Sequence, residues 1–204
     1  MSWQVQAQTV FQSKNEKTSA SEAILELKDG ILLIRFAANE KKLEALEKSL
    51  ANARTSADSV SLNREVQRTV EDASQLQNDV VAAMNAEFGF CDYAFFFDKD
   101  TRSVREGGGP VYGPDLKTEV RIDPDKVSYI KYVGRTPEMS INGFVIVDSN
   151  LENIPRPFPG TISRSGFSAI FGNDQKHIRR LNKKLEKYYD SAKAYNDEMR
   201  RKGS

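Results

Sequence analysis

Two aspartates one residue apart, Asp98 and Asp100, directly follow the aromatic-rich apolar run from Phe90 to Phe97. A third, Asp148, follows Phe144-Val145-Ile146-Val147 in the same way. Hard divalent cations such as Mg²⁺ and Mn²⁺ require oxygen ligands, and one or two carboxylates plus substrate phosphates usually hold Mg²⁺. Continuous apolar runs of this length read as strands buried on both faces. Open α/β sheets bind their ligands beyond the carboxyl ends of such strands. Asp98, Asp100 and Asp148 are therefore the candidate ligands of a divalent metal in an enzyme acting on a phosphorylated or nucleotide-linked substrate. An aspartate leaving a strand also commonly does no more than start a turn. On that simpler reading the protein is a non-catalytic binding or structural protein that needs no cofactor.

Asp-x-Asp after an apolar strand resembles the metal–diphosphate motif of nucleotide-sugar glycosyltransferases. It also resembles haloacid-dehalogenase-type phosphatases, where the likeness implies Asp98 as nucleophile and Asp100 as general acid. The phosphatase motif wants Thr or Val two residues after the second Asp, and Arg102 stands there instead. It also belongs on a first strand, whereas roughly ninety residues precede it here. The glycosyltransferase likeness covers three residues and lacks an evident nucleotide-binding half.

The other candidates are weaker as chemistry. Gly107-Gly108-Gly109 could wrap a phosphate through backbone N–H groups, but Pro110 and Pro114 follow where a phosphate loop should open a helix. Cys91, the single cysteine, lies inside an apolar run and reads as a small buried hydrophobe rather than a nucleophile for His177, the single histidine. One Cys and one His exclude an intramolecular disulfide and leave no basis for a Cys/His zinc site. Near the C-terminus, Arg179, Arg180, Lys183 and Lys184 form the candidate anion-binding set, for nucleic acid or anionic lipid. The competing reading is a solvated face on a helix docked by its other side.

Composition narrows the classes. With 30 Lys+Arg against 29 Asp+Glu the whole molecule is not a polyelectrolyte binder, and nucleic acid is not the expected partner. A hydrophobic content of 39% is that of a folded globular chain, not a disordered one. No apolar run approaches the roughly 18 residues of a spanning helix. Val5-Gln6-Ala7 has the small-residue pattern preferred by signal peptidase, but no basic region and apolar core precede it. The chain thus begins either as a cytoplasmic protein or inside a trimmed signal peptide; the second implies a periplasmic or secreted destination.

The elements that must position these residues follow from periodicity. Residues 1–21 read as a flexible arm, and 22–202 as one α/β (or α+β) domain with a single mixed sheet and packed helices. Ile24–Leu27 and Ile31–Ala37 flank Asp29-Gly30, which predicts a hairpin. Asn39 offers an N-cap for a helical stripe through Leu43, Leu46, Leu50, Leu62, Val66, Val80 and Met84. This is one long helix, or two with a break near residues 55–61. Its length permits a protruding helical hairpin that joins a protein partner or a second copy. Val120–Ile122 reads as an edge strand, and Val127–Val133 and Gly143–Val147 as strands. Leu151–Gly160 must run extended because of its prolines. Ile178, Leu181, Leu185, Tyr188, Ala192, Tyr195 and Met199 make a C-terminal helix.

The motif order also resembles a group of small, mainly Bacteroidetes proteins of unknown function. The matching pieces are Leu27 to Leu33, Asn39 to Lys42, Phe88 to Cys91, Val145 to Asp148, Arg156 to Pro159 and Leu181 to Lys187. The resemblance implies a cell-envelope or secreted destination and no activity.

Overall fold

The computed structural model describes residues 18–122, 127–133, 143–163 and 174–203. The reading of Val5-Gln6-Ala7, and of the arm up to residue 17, lies outside the described residues.

The first described element corrects an expectation. Residues 18–29 form a helix, α1, and not the first arm of a hairpin. Ala20, Ile24 and Leu27 are four and three residues apart, a helical spacing, and all three are fully buried. Asp29-Gly30 ends that helix: the Gly30 N–H donates to the Leu27 carbonyl at 3.3 Å.

Strand β1, Ile31–Phe36, follows at once. Two helices come next, α2 (Glu40–Ala51) and α3 (Ser56–Glu87). The break falls at residues 52–55, slightly before the expected place, because both flanks supply caps. Asn52 donates its side-chain amide to the Lys48 carbonyl, and the Thr55 hydroxyl oxygen accepts from the Asp58 N–H. Then come β2 (Asp92–Phe97), a 3₁₀ turn (Asp98–Asp100) and the short α4 (Thr101–Arg105). Strands β3 (Val127–Val133), β4 (Gly143–Val147) and β5 (Thr161–Ser163) precede α5 (Asp174–Gly203).

The five strands form one sheet in the order β2-β1-β3-β4-β5. β1 pairs parallel with both β2 and β3, whereas β3–β4 and β4–β5 are antiparallel. The mixed α/β sheet read from the sequence is thus the observed architecture. Val120–Ile122 is not a strand; Tyr112 instead bridges Phe95 on one side and Glu119 on the other. This small turn-back covers the open edge of β2, the protection such an edge needs. Asp115 fixes it by accepting from the Thr118 hydroxyl and from the Thr118 and Lys117 N–H groups. Those bonds lower its carboxyl pKa to about 2, so their support is intact above the ordinary aspartate value and lost as pH falls toward 2.

Alternation along the strands makes two cores. Leu32, Ile34, Phe36, Phe95, Phe144 and Ile146 face a helical layer of α1, the second half of α3, and α5. Phe36 and Phe95 stack there at 5.4 Å. Leu33, Ala94, Phe96, Val145 and Val147 face Val104 of α4 and Val111. The Pro-rich stretch delivers Phe158 into the helical side, edge-on to Tyr188 of α5. Among the described residues no helix is long and apolar enough to cross a membrane.

Phe95→Ala is expected to cost about 3–5 kcal/mol by cavity formation. Met199→Ala, on the exposed end of α5, should stay within about 0.5 kcal/mol. Denaturant unfolding of the two variants measures both.

Candidate functional site

β1 and β2 lie side by side and parallel, but their chains leave in opposite directions. β1 runs on into α2 and α3, whose buried residues Val80, Ala83 and Met84 belong to the helical core. β2 runs on into α4, whose Val104 belongs to the other core. Connections that diverge around adjacent parallel strands leave a gap at their carboxyl ends, the place where open α/β sheets accept ligands. A cleft of about 660 Å³ sits there, lined by Asn39, Glu40, Lys41, Lys42, Asp98 and Lys99.

Asp98 is a tie between the two strand ends. Its Oδ1 accepts from the Ala38 N–H at 2.8 Å, and its backbone carbonyl accepts from the Thr101 hydroxyl at 2.6 Å. Its charge also favours the Arg35 guanidinium, whose pKa burial lowers. Around it, Lys99 pairs with Glu40 at 3.1 Å and Lys42 with Glu65 at 2.9 Å. Both pairs are exposed, so they orient side chains more than they stabilise. Asn39 caps α2 by position only: it is left-handed (φ 57°) and its side chain makes no cap hydrogen bond. Sequence reasoning placed this cap but missed the cleft; a strand running straight into an Asn-capped helix was the available signal.

Asp100 does not line that cleft. Its Oδ2 is out of solvent and without a hydrogen-bond partner among the described residues. Asp148 is elsewhere altogether. β4 runs antiparallel to β3, so its carboxyl end points the opposite way from those of β1 and β2. Val147 is level with Tyr129, hence with Leu33 and Ala94, which puts Asp148 near the start of β2 and three strands away. Strand spacing and rise make that roughly 20 Å from Asp98. Its Oδ1 accepts from the Asn150 and Glu152 N–H groups at 2.9 and 2.8 Å, closing a turn. The expected three-aspartate ligand set is therefore corrected: the strand ends do not converge. No group of three His, Cys, Asp or Glu able to hold a metal occurs among the described residues.

The remaining candidates resolve individually. Burial pushes the Cys91 thiol up to about 12, against the opposing pull of Lys28. A thiol so shifted is protonated at neutral pH and a poor nucleophile. A Cβ on Gly109 would come within 2.6 Å of Val104, so this glycine lets the loop lie close against α4. On α5, Arg179 grips both carboxylate oxygens of Glu87, with Nε 2.7 Å from Oε2. It joins α5 to the end of α3, whereas Arg180, Lys183 and Lys184 remain exposed.

Removing the Asp98 acceptor tests its role. Asp98→Ala should lower stability by about 0.5–1 kcal/mol in chemical denaturation, the worth of one hydrogen bond. Asp98→Asn keeps an oxygen in reach of Ala38 and should lose less than half of that. Equal losses would place the effect in the charge near Arg35 instead. Compared with protein-family models, with curated proteins and with solved structures, the chain matches none.

Proposed function

We propose that this chain is a non-catalytic binding protein whose binding element is the α2–α3 hairpin, and that its partner there is a second copy of itself. The carrying observation is α2. It is a 12-residue helix with no buried residue, yet Leu43, Leu46 and Leu50 repeat at helical spacing and are each only half-buried. On α3, which packs against α2, Leu62 and Val66 are likewise only half-buried, and Val60 and Val70 are 58% and 48% exposed.

The fold does not require this hairpin. A parallel crossover needs about a dozen residues, whereas this one contains helices of 12 and 32 residues. The last turns of α3 supply Val80, Ala83 and Met84 to the core. Its first half packs on α2. Isolated helices as short as α2 are marginal in water and gain their stability from a packed apolar face. Two such hairpins make a four-helix bundle, in which each seam is covered from both sides.

Charge supports a second copy over other occupants. Residues 40–72 hold six basic and seven acidic side chains, interspersed along both helices. A surface of mixed sign suits a self-complementary contact and has no attraction for a polyanion. Two of the three candidate metal ligands, Asp98 and Asp148, already accept from backbone N–H groups, which favours the non-catalytic reading.

Sedimentation equilibrium is expected to give twice the 23.0 kDa chain mass at tens of micromolar protein. Leu46→Glu should weaken the association at least tenfold and leave the sheet's thermal transition in place. A protein that stays monomeric across the accessible concentration range would refute the proposal.

A further inference from the structure

The near-zero total charge hides two opposed regions. α5 carries ten Lys and Arg against five Asp and Glu, leaving twenty against twenty-four in the rest of the chain. The helix is thus five positive and the remainder four negative. This segregation is independent of the hairpin and is not explained by it.

Within α5 the excess is concentrated further. Ile178, Leu181, Leu185 and Ala192 are buried and define the docked side. Lys176, Arg180, Lys183, Lys184 and Lys187 are all exposed, and none forms an ion pair with a described residue. Spacings of four, three and four residues put Lys176, Arg180, Lys183 and Lys187 in a single row about 16 Å long. Arg179, included in the candidate set read from the sequence, drops out because Glu87 holds it. Lys176 and Lys187 take its place. Of the nearby acids, Glu186 accepts from Asn182 at 2.7 Å, and Asp190 bounds the row at its C-terminal end.

We infer that this row binds the phosphate backbone of a nucleic-acid duplex without reading its sequence. A linear set of fixed cations matches a rod-like polyanion, whose phosphates release counterions when neutralised. The face holds no Leu, Phe or Trp to embed in a bilayer, as interfacial helices do. It holds no ring to stack on unpaired bases either. Tyr188 and Tyr189 turn inward, packing edge-on against Phe158 and Phe90. With only backbone contacts, affinity is of the non-specific kind, with a Kd of about 10⁻⁴–10⁻⁶ M that is strongly salt-dependent.

The test is fluorescence anisotropy of a labelled DNA duplex titrated with the full chain at several salt concentrations. Anionic phosphatidylserine vesicles are titrated in parallel. The expected slope of log affinity against log salt is about −4, since each phosphate neutralised contributes about −0.9. Two triple variants remove the same total charge: Arg180→Glu, Lys183→Glu, Lys187→Glu on α5, and Arg102→Glu, Lys117→Glu, Arg121→Glu elsewhere. The first should weaken duplex binding at least tenfold, the second less than threefold, with both folded by circular dichroism. Equal losses would show attraction to net charge alone and overturn the assignment. So would binding to the vesicles with no binding to the duplex, or no duplex binding at about 50 mM salt, where non-specific contacts are strong.

Discussion

The burial of β1 between two parallel partners is the constraint on which the rest of the molecule depends. Leu32, Leu33, Ile34 and Phe36 are at most 2% exposed, so the strand needs cover on both faces as well as both edges. Its two parallel neighbours cannot be reached by tight turns, and the chain must leave the sheet and return. α2 and α3 are the first return, and α4 with the segment behind it is the second. The helical core and the smaller core under α4 follow from those two excursions. The divergence of the same excursions opens the cleft beside Asp98.

That requirement separates what the fold needs from what it carries in excess. The second half of α3 and the apolar side of α5 complete the helical core. The first half of α3, all of α2 and the outer face of α5 do not. These two surplus surfaces differ in kind. The hairpin is half-apolar with charges of both signs, which suits protein contact. The outer face of α5 is polar and carries an excess of positive charge, which suits an anion. A single averaged charge hides this contrast entirely.

Much of the architecture was legible in the residues. β1, β2, β4 and α5 announce themselves by unbroken apolar runs or by three-four spacing. Ile24 to Leu27 misled because four residues do not distinguish period 2 from period 3.6. Only Ala20, further upstream, shows the helical repeat. Asp148 misled for a different reason. The sequence shows that it ends a strand, but direction is set by pairing with β3, a contact that no local pattern encodes. Asp98 was correctly placed at a carboxyl end, although its bond to Ala38 spans sixty positions and could not be foreseen. The fate of Arg179 is similar, since Glu87 reaches it only after α3 and α5 pack.

The central claim is that α2 is completed by a second chain. Amide hydrogen exchange along α2, followed as a function of protein concentration, tests it directly. Association stabilises an element by mass action, so exchange of the α2 amides should slow as dimer forms, while those of β1 stay slow throughout. Protection of α2 that does not change with concentration, in a protein that sediments as a monomer, would contradict the account.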